Sequence, residues 1–177
     1  HIIYMNVFLL EDKPVFRNFL FAVILIMGFA TAAAASSGAS ETVQVKLYFA
    51  DAGFMRLIPE NTSVRKTDTE HEARAVINEL IKGRDRNPKI RRLIPDIKKC
   101  MTVRTENNTA YVNITSKMAE AHPDGREAEK LTVYQIVNSL TSIEGIDCVR
   151  FTVNGSVQKN FMGYLDMREP FTADYFV

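Results

Sequence analysis

The sequence predicts an α+β fold: a mainly antiparallel sheet with two helices packed on one face, laid out as strand, helix, hairpin, helix, hairpin. Three observations lead there. Apolar residues alternate with period two in several short runs, apolar residues recur at helical spacing in two longer blocks, and the dipeptides Asn107-Asn108 and Asn154-Gly155 each sit between alternating runs.

The first run, Val43, Val45, Leu47 and Phe49 against Gln44, Lys46 and Tyr48, reads as a strand with one buried face. Asp51-Ala-Gly53 turns the chain. Arg56-Leu-Ile-Pro59 and Thr62-Ser-Val-Arg-Lys66 read as a short extended excursion broken by Pro59, without long strands. A first helix opens at Thr67 or Asp68 as N-cap, with Glu70 as the capping-box partner of Thr67. Ala73, Val76, Ile77, Leu80 and Ile81 give it one apolar face, and Gly83 ends it in a left-handed conformation.

Met101 to Thr105 and Ala110 to Thr115 alternate around Asn107-Asn108, a pair that tolerates positive φ, and so form a hairpin. Asp124 with Glu127 offers the cap of a second helix, whose apolar positions Ala128, Leu131, Val133, Tyr134, Ile136, Val137 and Leu140 span a face wide enough for a central helix. Gly145 stops that element. Val149, Phe151 and Val153 then lead into Asn154-Gly155, and Val157 to Phe161 reads as the returning strand, an edge marked by Val157, Lys159 and Phe161.

The 177 residues carry a net charge of only +1, which implies neither a nucleic-acid binder nor an acidic disordered tail. Lys13 and Arg17 precede the apolar run Phe19 to Phe29, followed by the small residues Ala30 to Ala35. Basic, apolar and small-residue regions in that order make a secretory signal, so the mature protein is expected to be exported and extracytoplasmic, secreted or held at the membrane. As a helix, Phe19 to Ala35 would span roughly 26 Å, just short of a hydrocarbon core of about 30 Å, which leaves cleavage and retention as an anchor both open. Met5 is the expected start, with residues 1–4 upstream of it. The division is therefore 1–35 signal or anchor, 36–42 linker, and 43–177 one domain.

Cys100 and Cys148 make no metal motif. If their strands lie at opposite edges of a four-stranded split β-α-β sheet, the cysteines are roughly 14 Å apart, beyond the reach of a disulfide, and both are expected as free, partly buried thiols.

The chemistry-bearing residues do not converge. His71 falls in the first turn of a helix, where a solvated face accounts for it, and His122 precedes Pro123-Asp-Gly125 with no carboxylate placed beside it by the sequence. Glu70, Glu72, Glu127 and Glu129 lie in first helical turns, where the helix dipole favours acids. No glycine-rich phosphate loop, His-Glu-x-x-His or EF-hand pattern occurs, so no catalytic residue, metal ligand or cofactor is assigned. Four glycosylation-type triplets begin at Asn61, Asn107, Asn113 and Asn154, and turn chemistry explains them adequately.

One charge asymmetry stands out: Lys82, Arg84, Arg86, Lys89, Arg91, Arg92, Lys98 and Lys99 against Asp85 and Asp96. A solvated loop accounts for it as well as a contact with an anionic wall or membrane surface does, while export and the lack of interleaved aromatics exclude nucleic acid.

Taken in order, Val45-Lys-Leu-Tyr-Phe-Ala-Asp51, Leu57-Ile-Pro-Glu60, Ala75 to Gly83, Ile94-Pro95, Ala110-Tyr-Val-Asn113, Val133 to Thr141, Val149 to Gly155 and Gly163 to Phe171 resemble the GerMN domain family of sporulation and spore germination proteins. The resemblance runs from Val43 to about Phe171. It implies a non-enzymatic module of the Gram-positive cell envelope that works in assemblies with envelope or sporulation-complex proteins or with itself. The chain departs from the pattern at Gly83-Arg84, where many relatives have Gly-Pro, and it lacks the lipid-modified cysteine and the tandem copy found in some. The alternative function is an accessory that binds peptidoglycan or wall polymer through Lys82 to Lys99, and a small hydrolase working through His122 is a third reading.

Overall fold

In the computed structural model, β1 (Thr42–Asp51) is the central strand of one three-stranded sheet, ordered β2, β1, β3, with β2 at Leu57–Arg65 and β3 at Ile90–Arg91. Residues 40–160 and 163–177 are described; the expected signal and most of the linker lie outside them, and Ser40–Val177 forms one compact unit. No helix among the described residues is long and apolar enough to cross a membrane. The alternation in β1 places Val45, Leu47 and Phe49 in the core, as the sequence predicts.

Pro59 does not break the chain there. β2 is a nine-residue strand paired with β1 from Thr42↔Arg65 to Ala50↔Leu57, with Pro59 opposite Tyr48. The Lys46 and Tyr48 amides donate to Ser142 Oγ (3.0 Å) and Ser139 Oγ (2.9 Å), so they point away from β2. Directly opposed residues in an antiparallel ladder turn the same way, so position 59 also faces outward, where a missing N–H costs the ladder nothing.

Helix α1 (Thr69–Lys82) is capped by Asp68, whose carboxylate accepts the His71 amide at 2.9 Å. The expected capping box is replaced: Glu72 accepts the Thr67 amide (3.0 Å), while Glu70 pairs with Arg74 and accepts the Thr105 amide (3.2 Å), tying α1 to the strand β4 (Met101–Glu106). Asn107 and Asn108 adopt positive φ (49° and 58°) in the two-residue turn between β4 (Met101–Glu106) and β5 (Thr109–Ile114).

A short helix the sequence reading missed, α2 (Ser116–Ala121), buries Met118 and precedes α3 (Arg126–Leu140). The N-cap of α3 is Gly125 instead of Asp124, whose carboxylate accepts the Gly125 amide. Leu131, Val133, Ile136, Val137 and Leu140 are buried, and so are Thr132, Gln135, Asn138 and Ser139, as befits a central helix enclosed on nearly every side. It ends at Leu140, before Gly145, which serves the following turn at φ 87°.

Because α2 and α3 form a crossover, β6 (Cys148–Val153) returns parallel to β5, giving a second sheet ordered β4, β5, β6. The fold is α+β with mostly antiparallel strands divided between two sheets. Cys100 precedes β4 beside the Met101↔Ile114 pair, whereas Cys148 faces Thr109 at the other end of β5. That places them two strands and a strand length apart, not three strands apart in one sheet. Both are free thiols, and burial pushes Cys100 up from its ordinary value.

Candidate interaction surfaces

The basic segment splits into structural and surface residues. Arg92 folds back on the end of α1, donating to the carbonyls of Ile81 (2.7 Å) and Lys82 (2.7 Å), and its guanidinium grips both carboxylate oxygens of Asp85 (2.9 and 2.7 Å). It satisfies carbonyls that a helix end leaves without partners. The pair holds the Asp85 carboxyl below its usual range and raises Arg92. Gly83, at φ 67°, lies against this guanidinium: a Cβ there would sit 2.6 Å from Arg92 Nη2.

Arg84 is also committed, to Glu60 (3.2 Å) and Glu79 (3.2 Å) with its guanidinium 5.0 Å from the centre of the Phe49 ring. Lys82 reaches Glu79 at 3.3 Å. Arg86, Lys89, Arg91, Lys98 and Lys99 stand exposed, so the usable basic surface is smaller than the sequence implies.

The expected edge strand does not form at Val157 and Lys159. Asn154 and Gly155 make the turn, with φ 49° and 80°, but after it the chain meets β6 only at the bridge Val153↔Ser156, and Asn160 bridges to Asp166 instead. The flank of β6 is already taken by Phe171, which exchanges two 2.8 Å backbone hydrogen bonds with Val149. Val157 is left 61% exposed, the Lys159 carbonyl accepts the Met167 amide (2.8 Å), and Phe161 lies outside the described residues.

One open edge is on β2. Its outward-facing positions are Leu57, Pro59, Asn61, Ser63 and Arg65, by the alternation fixed at Tyr48. The Leu57 amide donates to the Val177 carbonyl at 3.1 Å, and Pro59 has no amide hydrogen. Among the described residues nothing pairs with the backbone of Asn61, Ser63 and Arg65, whose side chains are exposed. On the neighbouring sheet face Tyr48 stacks on Tyr175 at 5.7 Å, bordering a shallow recess of about 400 Å³ lined also by Gln44, Lys46 and Ser142.

The histidines stay apart. His71 is solvent-exposed beside Asp68 (Nδ1 to Oδ2, 2.6 Å), whose carboxyl is held low by hydrogen bonds from the His71 amide and ring. His122 is buried: its Nδ1 contacts the Pro123 carbonyl (2.6 Å), its Nε2 contacts Thr132 Oγ1 (2.5 Å), and burial lowers its pKa. No group of three or more potential metal ligands occurs among the described residues.

Glu129 was missed. The sequence reading assigns it to dipole capping, yet it is fully buried and binds the backbone of Tyr164 and Leu165.

No curated protein sequence matches the chain significantly. Solved structures share its fold. The tandem GerMN domains of the sporulation protein GerM from Bacillus subtilis match with a TM-score of 0.58 and 19% identity over 75% of this chain, which spans 46% of that one. The first GerMN domain of the same protein matches with a TM-score of 0.51 and 20% identity, over 75% of this chain and 96% of that one. A Clostridium perfringens protein named as a lipoprotein candidate matches with a TM-score of 0.54 and 19% identity, over 74% of this chain and 87% of that one. A family model, Germane, described as sporulation and spore germination, matches residues 46–159, more than half of the sequence, and the chain therefore belongs to that family.

Proposed function

We propose that this chain is a non-catalytic, exported module of the cell envelope that acts in sporulation and spore germination through protein assembly. The observation that carries the reading is the outer edge of β2, where Asn61, Ser63 and Arg65 present backbone donors and acceptors to an incoming strand. Membership of the sporulation and spore germination family supports the process, and the run Phe19 to Ala35 supports export.

Disruption of the gene in its spore-forming host should lower the yield of heat-resistant, germinating spores. The wild-type chain should restore it, while Ser63→Pro should not, because proline deletes an outward amide as Pro59 already does, leaving the β1 backbone ladder in place and giving up only the exposed bond from Gln44 Nε2 to Ser63 Oγ (2.6 Å). Normal spores after disruption would overturn the role, and full rescue by Ser63→Pro would overturn the edge as its contact.

The second reading, a wall-polymer accessory, rests on the exposed set Arg86, Lys89, Arg91, Lys98 and Lys99. Cosedimentation with purified cell wall should then weaken with salt and be lost in Lys89→Glu/Arg91→Glu/Lys98→Glu. Arg92 is unsuitable for such a test because it caps α1.

A further inference from the structure

We infer that the partner strand at the β2 edge is β2 of a second copy of this chain, paired antiparallel with Ser63 facing Ser63. This rests on the strand-addition reading above and names the partner. A two-fold contact uses the same edge in both copies and therefore runs antiparallel.

The register follows from the available window. Leu57 is occupied by the Val177 carbonyl and Pro59 has no donor, so Asn61, Ser63 and Arg65 remain. Centring the contact on Ser63 maps these residues onto one another, Asn61 opposite Arg65, and every pair is of the type that exchanges two hydrogen bonds, about six in all. Sliding the partner one way sets Pro59 against Arg65: the number of bonds stays the same, but at each end the pyrrolidine ring stands where the opposed Arg65 carbonyl needs an N–H donor. Sliding it the other way leaves Asn61 beyond the end of the opposing strand, and a further step opposes Arg65 to Arg65, a like-charge pair that destabilises.

The charges agree with the central register. The ladder continues past Arg65, since the Lys66 amide donates to the Glu41 carbonyl at 2.8 Å. Lys66, which holds Glu41 within its own chain (2.8 Å), then falls opposite Glu60 of the second copy, which is held by Arg84 (3.2 Å), so the central register sets two ion pairs side by side with unlike charges adjacent, and two-fold symmetry repeats the arrangement. The result is a continuous sheet ordered β3, β1, β2, β2, β1, β3 across the two copies.

The test uses the full-length chain in detergent. Sedimentation equilibrium should show a monomer–dimer equilibrium, and Ser63→Pro should raise the dissociation constant by about tenfold or more through the lost bonds. In a Cys148→Ser background, Ser63→Cys should oxidise to a covalent dimer about tenfold faster than Thr102→Cys on the other sheet, because hydrogen-bonded opposed residues have Cα atoms about 5.5 Å apart, within disulfide reach. The cysteine arm does not depend on how well the proline variant folds.

A chain that stays monomeric, with Ser63→Cys oxidising no faster than Thr102→Cys, would overturn self-pairing. If Ser63→Pro nevertheless abolished spore rescue, strand addition to a different protein would stand. If Ser63→Pro rescued fully, that reading would fall as well.

Discussion

The carboxylate of Glu129, fully buried on α3, accepts the Leu165 amide at 3.0 Å through one oxygen and the Tyr164 amide at 3.1 Å through the other. A buried charge is tolerated when such donors meet it, and here they fasten the C-terminal segment to the central helix. Hydrogen bonds to a charged acceptor contribute about 1.5–3 kcal/mol each, and water can reach part of the exposed Tyr164 side when they are lost, so Glu129→Ala should lower stability by roughly 2–4 kcal/mol in urea denaturation. Amide exchange at Tyr164 and Leu165 should rise more than at Val112 in β5. Equal change at all three sites would mean that Glu129 supports the core in general and does not clip the segment.

His122 gives the fold a pH dependence. Burial lowers its folded-state pKa against the opposing influences of the Pro123 carbonyl and Glu129. In the unfolded chain the same imidazole titrates at about 6.5, so between that value and the folded one the unfolded state binds more protons. Stability is fully present above about pH 6.5 and falls as pH drops through the window toward the folded pKa. Replacing His122 by Gln should flatten the slope of unfolding free energy below about pH 6.5, measured in denaturant at constant ionic strength. An unchanged slope would assign the acid sensitivity to other groups.

Arg92 is a helix cap supplied from outside the helix. Its side chain is 22% exposed, and Arg92→Ala would strip the Ile81 and Lys82 carbonyls of their donor, at a cost of about 1–3 kcal/mol. Arg91, exposed in the same segment, should tolerate alanine within about 0.5 kcal/mol. Gly83→Ala should be costly as well, since the new Cβ meets the Arg92 guanidinium and φ is 67°. Thermal unfolding of the three variants checks the order; equal melting temperatures for Arg91→Ala and Arg92→Ala would remove the cap.

What the sequence revealed was local. The alternation of Val45, Leu47 and Phe49 and the Asn107-Asn108 turn needed only neighbours along the chain, and both are in the structure. Pro59 was misread because a proline's cost depends on which way its amide faces, and that direction is set by Ser139 acting on Tyr48 from 91 positions away. Val157 to Phe161 carried a strand pattern after a good turn, but Phe171 had taken the flank of β6. α2 is too short for periodicity to reveal. The basic segment read as one surface because composition cannot distinguish Arg92, folded onto carbonyls, from the exposed Arg91.

Ser139 and Ser142 both serve the inner edge of β1, yet their loss should differ. Ser139 Oγ accepts the Tyr48 amide (2.9 Å) and donates to the Gln135 carbonyl (2.6 Å) at a fully buried position. Ser142 Oγ makes a similar link to the Lys46 amide and carbonyl (3.0 and 3.1 Å) where the strand meets solvent. An alanine at 139 strands a buried amide, which costs about 1–3 kcal/mol, whereas water can replace the hydroxyl at 142. Ser139→Ala should therefore destabilise the protein several-fold more than Ser142→Ala in matched denaturation curves. Hydrogen exchange should quicken at Tyr48 in the first variant. If the two variants were equally destabilised, burial would not be what makes α3 hold the edge of β1.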